Sequence, residues 1–208
     1  MAGDAERPDV LAVKERKIAD APSLRALTHP TRLALIEAIL LSGTLTATQA
    51  SGLVGESPTA CAYHLRMLGR HGFVEEAGGG RGRERPWRLA QVGTSFDSGS
   101  DDPVIALAGR ALSNMLTEHW IERIRAFDLD RSRYPKSVAD VTRPYQSVAL
   151  ATPAELAQLR EEIFALMSRY VDRIDPASRP PGVLPFEMVL FTHVLPVREV
   201  REVEEVKE

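Results

Sequence analysis

Thr59, Ala62, Tyr63, Arg66 and Arg70 recur at i, i+3, i+4, i+7 and i+11, so on a helix they share one polar, aromatic and basic face. Cys61, Leu65 and Leu68 fall at i, i+4 and i+7 on the other side and would face a core. One side can be buried while the other meets a partner rich in negative charge and hydrogen-bonding edges. A few residues on, GGGRGRER sets Arg81, Arg83 and Arg85 among glycines. Residues 57–88 hold six arginines against three glutamates and form the chain's basic patch. The net charge of −3 over 208 residues does not oppose this, because binding follows where charges sit rather than their sum. Residues 1–98 carry 12 basic and 11 acidic groups, and 99–208 carry 14 and 18.

The elements that must position these residues are readable from their ends. His29 followed by Pro30 opens a helix, since proline in the first turn forfeits no needed hydrogen bond. Leu33, Leu35, Ile36, Ile39 and Leu40 give it an apolar face, and Ser42-Gly43 ends it. Thr46 with Gln49 reads as a capping box for a short helix that stops near Gly55. Ser57 as N-cap, Pro58 in the first turn and Gly72 as terminator define a third helix over about 58–71. FVEEA and PWRLA are strand-like runs joined by the glycine- and arginine-rich loop.

A helix of this kind can enter the B-DNA major groove if the preceding helix anchors on the backbone. Thr59, Tyr63 and Arg66 then point at base edges and adjoining phosphates, and Ala62 leaves room for close approach or a thymine methyl. Thr46, Thr48 and Gln49 would hold phosphate, with Ser57 and Arg70 also in the candidate surface; Arg81, Arg83 and Arg85 can lie along or in a minor groove. His64 has two readings, a phosphate or base contact and a packed structural ring. Cys61 shares the phase of Leu65 and Leu68 and reads as a small core residue.

LRALTHPTRLALIEAIL, TATQASGLVGESPTACAYHLRMLGRHGFVEE and GRGRERPWRL, in that order over about residues 20–90, resemble the ArsR-type winged helix-turn-helix transcriptional regulators. The resemblance implies that the helix from Pro58 to His71 is the recognition helix and Arg81–Arg85 the wing. Metal sensors of that family use a cysteine pair on the supporting helix; this chain has one cysteine, and its histidines at 29, 64, 71, 119 and 193 form no ligand-like cluster. No metal or other cofactor is therefore expected.

GTSFDSGSDD suggests a linker at 93–102, which divides the chain into a winged helix-turn-helix domain at 1–92 and a second domain at 103–208 for dimerisation or ligand binding. In the latter, Asp102-Pro103 opens an apolar helix to about Phe127, and Thr152/Glu155 cap another over about 153–174. YQSVALA and PFEMVLFTHVLPV flank the latter as strand candidates, so the fold class expected is mostly α with small β, the second domain being a helical α/β unit. Trp120, Tyr134, Tyr145, Phe164, Tyr170 and His193 are candidates for a small-molecule effector pocket, Tyr134 lying in an expected loop over 128–143; the other reading makes each aromatic ordinary core. The tail REVREVEEVKE reads as solvated.

These residues point to a dimeric, sequence-specific regulator of double-stranded DNA, a repressor with a candidate effector. The alternatives are a helix-turn-helix module that binds only protein, and an enzyme with its site in the second domain. No GxSxG, phosphate-cradling glycine loop or ligand-spaced His/Asp/Glu cluster supports catalysis. No run of 18 apolar residues exists, and the N-terminus has no apolar signal core, so a cytoplasmic protein without a membrane span is expected.

Overall fold

The computed structural model describes residues 15–78, 85–91, 93–142 and 144–195. The N-terminal residues, most of the wing loop with Arg81 and Arg83, and the tail from 196 lie outside them, so the solvated-tail expectation has no structural counterpart here.

Strand β1 (Glu15–Ile18) leads into α1 (Ala21–Leu27), whose Asp20 side chain accepts from the Ser23 N–H at 2.7 Å. Helix α2 (Pro30–Ser42) follows, opened by proline as the sequence requires. After the short β2 (Thr44–Leu45), α3 (Ala47–Val54) begins with the complete capping box: Gln49 N donates to Thr46 Oγ1 at 3.2 Å, and Thr46 N to Gln49 Oε1 at 2.9 Å. Gly55 ends it at φ +72°, a left-handed conformation that costs glycine little. This turn swings the chain into α4 (Pro58–Arg70).

Strands β3 (Val74–Glu76) and β4 (Trp87–Leu89) pair antiparallel, and β2 joins the other edge of β4 to give the order β2-β4-β3. Leu24, Leu35, Ile39, Ala50, Cys61, Leu65 and Leu68, all fully buried, fill the space between the four helices and this sheet. A winged helix-turn-helix with its wing hairpin is the result.

Four expectations for the rest of the chain need correction. The linker at 93–102 begins with β5 (Gly93–Phe96), which pairs parallel to β1, Ile18 opposite Phe96. Polar composition had hidden a strand, whose partner is some 80 positions earlier in the chain. Helix α5 (Pro103–Asp130) runs on past Phe127 to about 42 Å at 1.5 Å per residue, so the expected loop at 128–143 is helix, a 3-10 turn at Arg131–Arg133, then α6 (Lys136–Val141). Helix α7 (Pro153–Ser168), with its Thr152/Glu155 capping box, ends six residues earlier than expected, and 3-10 turns at Val171–Ile174 and Pro176–Ser178 follow. YQSVALA and the described part of PFEMVLFTHVLPV form no strand. A strand needs a neighbour's backbone to complete its hydrogen bonds, and none of the described residues supplies one. The C-terminal region is therefore helical.

Ala108 and Leu112, in the early turns of α5, complete the N-terminal core, where α5 crosses α1. Further along, Glu37 of α2 accepts from His119 Nε2 at 3.0 Å and from Arg123.

Candidate nucleic-acid interface

Helix α4 has the two faces its spacing implies. Cys61, Leu65 and Leu68 have no exposed surface, while Thr59, Tyr63, Arg66 and Arg70 are exposed and Ala62 is half-buried. Burial in apolar surroundings pushes the Cys61 thiol up, with Glu56 adding to the effect, so it stays protonated in the core. Ser57 Oγ accepts from Ala60 N at 3.1 Å and retains its own hydroxyl hydrogen for a phosphate oxygen. The amide groups at this helix end and its dipole favour an anion there.

Thr46 and Gln49 already use one oxygen each in the capping box; what they have left for a phosphate is the Thr46 hydroxyl hydrogen and the Gln49 side-chain NH2. Thr48 is exposed.

His64 turns inward. Its ring sits 4.5 Å from that of His29, the α2 N-cap, and 5.3 Å from Tyr63, and its Nδ1 is buried without a hydrogen-bond partner. Of the two sequence readings this geometry matches the packed one: the ring backs the face that Tyr63 presents. Burial, then the nearby His29 and Arg32, hold its pKa below the usual imidazole value against the opposing pull of Glu56. Glu56 accepts from the Thr31 hydroxyl at 3.1 Å, which ties the turn before α4 to the start of α2.

The described wing residues 74–76 and 85–89 carry no net charge between them. Arg85 pairs with Glu76 at 2.8 Å and Arg88 with Glu75 at 2.7 Å, all four exposed. Among the described residues the positive surplus thus comes from Arg66 and Arg70 on α4; neither has an ion-pair partner there. The other wing arginines, Arg81 and Arg83, lie outside the described residues.

Wing and helix are held together by Trp87, buried against Gly69 of α4. A Cβ at Gly69 would stand 2.9 Å from Trp87 Cζ3. Arg66, Gly69, Arg70, Val74, Glu75, Glu76 and Trp87 line a shallow groove of about 420 Å3 between the two. Sequence reading singled out the wing's arginines but missed Gly69 and Trp87, whose bulky-against-absent side-chain pairing is the one signal it could have used.

The six aromatic and histidine candidates for an effector pocket do not gather. Trp120 meets Phe191 at 5.9 Å, Tyr170 meets Phe186 at 5.8 Å and Tyr134 meets Phe127 at 5.1 Å, three separate pairs. An open cavity of about 550 Å3 at the end of α5 is lined by Asp128, Leu129, Arg131, Ser132, Tyr134, Lys136 and Ala139, so it takes only Tyr134 of the six. Tyr145 is 90% exposed, and Phe164 and His193 are also exposed. Side chains 60 residues apart share a pocket only if the intervening chain folds back, and here it does so loosely.

No cluster of three or more metal-ligating side chains occurs among the described residues, and none of their helices is long and apolar enough to cross a membrane.

Residues 27–77 match the family model of the helix-turn-helix domain. With the β3–β4 hairpin attached, the N-terminal part of the chain is a winged helix-turn-helix domain, the fold implied by the resemblance to ArsR-type regulators. Similar solved structures include the following two. One is reduced HlyU from Vibrio cholerae, 23% identical over 42% of this chain and 78% of that one, with a TM-score of 0.29. The other is the homodimeric winged helix-turn-helix DNA-binding domain of Mb0332 from Mycobacterium bovis, described as a possible ArsR-family transcriptional regulator. It is 22% identical over 57% of this chain and 91% of that one, with a TM-score of 0.31. No curated protein matches the chain.

Proposed function

We propose that the protein is a sequence-specific transcriptional regulator that binds double-stranded DNA as a homodimer in the cytoplasm and acts as a repressor. One observation carries this reading: Thr59, Tyr63 and Arg66 project together from the exposed face of a helix whose opposite face is wholly buried. That face is held at the angle a helix-turn-helix turn provides, with a wing beside it. Thr59, Ala62, Tyr63 and Arg66 read the major groove; Ser57, Thr46, Thr48, Gln49 and Arg70 position the domain on phosphates; Arg81, Arg83 and Arg85 follow the backbone or minor groove. A two-fold dimer through the long helix α5 would place two recognition helices about 34 Å apart on successive major grooves. A small-molecule effector bound in the C-terminal region would bias DNA affinity.

The test is selection of bound fragments from a random DNA library by the full-length protein, then titration of the selected duplex. Arg66→Ala should lower specific affinity by about 1–3 kcal/mol, the usual loss for one base contact. Affinity should also fall by orders of magnitude between about 50 and 200 mM salt. No enriched sequence, with no salt dependence, would favour a module that binds only protein.

A further inference from the structure

Histidine is an unusual residue at the N-cap of α2. Serine, threonine, aspartate and asparagine are favoured there because a short side-chain oxygen accepts from the first free amides of the helix. Helices α1, α3, α4, α5 and α7 each begin on such a residue and make that bond. His29 does not. Its ring lies instead 4.5 Å from that of His64, tilted by 46°, and His64 meets Tyr63 edge-on at 5.3 Å and 73°. The three rings run from the start of α2 to the outer face of α4, where Tyr63 is 54% exposed.

The stack is costly in polar terms. His29 Nδ1, His64 Nδ1 and Arg32 Nε are buried without a hydrogen-bond partner among the described residues. Buried polar groups are as a rule paired, so three orphans at one corner call for a use other than stability. Charge there is lopsided as well. Arg32 of α2 stands near the rings and donates from Nη2 to the Arg25 carbonyl at 3.3 Å. Glu56, in the turn before α4, is the nearby acid, and it accepts from the Thr31 hydroxyl. Helix α3 contains no titratable side chain and α1 only Arg25, while Glu75 and Glu76 of β3 are engaged by the wing arginines. A proton on His64 is thus opposed by burial and by two basic neighbours and favoured by a single exposed carboxylate, which holds its pKa below the usual imidazole value. Neutral, the ring stays stacked. Protonated, it is pushed from Arg32 toward solvent, and the support behind Tyr63 goes with it.

We propose that His29 is a positioning residue for base readout: through the ring of His64 it fixes the direction in which Tyr63 meets DNA. The inference rests on the reading of α4 as the recognition helix and deepens it. A side chain that touches no DNA sets how sharply sequences are distinguished, and it does so only while the stack is neutral. Phosphate contacts hold the domain on any duplex, whereas base contacts separate one sequence from another. Loss of the stack therefore lowers the ratio of operator affinity to random-duplex affinity and leaves random-duplex affinity in place.

That ratio is measured by fluorescence anisotropy, titrating the full-length protein into the duplex it selects from a random library and into a random duplex of equal length. His29→Ser supplies the side-chain oxygen that the N-cap lacks but no ring. It should lower the ratio about 5-fold or more, the smaller end of what one base contact is worth, with random-duplex affinity and the salt slope unchanged. His29→Phe, which keeps a flat ring, should hold the ratio near the parent's. In the parent the ratio should fall as pH drops from about 7.5 to 5.0, and His64→Phe should remove that fall. Far-UV circular dichroism under each condition checks that the protein is folded; should His29→Ser not fold, His29→Phe and the parent's pH profile decide. An unchanged ratio in folded His29→Ser would overturn the proposal, as would equal losses on both duplexes or a parent ratio independent of pH. A parent that enriches no sequence removes the DNA reading and this inference with it; a parent that enriches one, with a ratio indifferent to residue 29, removes this inference alone.

Discussion

Gly69→Ala tests how the wing is seated on the recognition helix. In an open helix interior, glycine to alanine adds about 1 kcal/mol of stability. Gly52 of α3 provides that reference, since a Cβ there meets nothing within 4 Å. At Gly69 the same atom would lie 2.9 Å from Trp87 Cζ3 and 3.4 Å from Cη2, whereas carbon atoms rest at about 3.5–4.0 Å. The ring must move by about 0.6 Å or more, and its free direction is the shallow groove between α4 and the wing. A displacement that bared on the order of 50 Å2 of indole would cost about 1.3 kcal/mol at about 25 cal/mol per Å2. A loss of that size would cancel the helix gain. We expect Gly69→Ala to leave stability near the parent value while Gly52→Ala raises it by about 1 kcal/mol. The assay is urea unfolding followed by Trp87 fluorescence in Trp120→Phe, with a red-shifted native emission expected for Gly69→Ala alone. Equal stabilisation by both substitutions, with unshifted emission, would refute the seating of the wing on Gly69.

The remaining predictions concern the backing of the site and the docking of α5. Because the folded protein holds His64 below its ordinary pKa, the unfolded chain binds this proton first. Stability contributed by neutral His64 is complete above about pH 6.5 and is lost as pH falls from there toward the folded value. Urea midpoints at pH 7.5 and 5.5 should therefore converge in His64→Leu relative to the parent; an unchanged pH dependence would remove His64 as its source. At Gly109 of α5 a Cβ would stand 2.8 Å from the Asp97 carbonyl oxygen and 3.0 Å from Ser98 Cα, both backbone atoms. Gly109→Ala should cost about 1–3 kcal/mol in chemical denaturation, because backbone cannot step aside as a side chain does. A neutral result there would mean that α5 does not dock where the structure puts it.

The winged domain was largely legible because its signals are local. Ser57 and Pro58 start a helix within one turn, Thr46 and Gln49 cap one across three residues, and the phase of Cys61, Leu65 and Leu68 sorts the faces of α4 without reference to any other element. Even there, His64 sat on the border between the two faces. Periodicity left it open, and only the ring of His29, brought up by α2, turned it inward.

Helices close their hydrogen bonds within a few residues of their own sequence, so the order of α2, α3, α4, α5 and α7 followed from caps and spacing alone. Strands and docking faces complete themselves on distant segments. Tertiary structure alone paired β5 with β1 through a stretch that composition marks as a linker, and set Glu37 against His119 and Arg123. It likewise withheld a ladder from YQSVALA, which looks as strand-like as FVEEA, because a strand exists only where another backbone lies alongside.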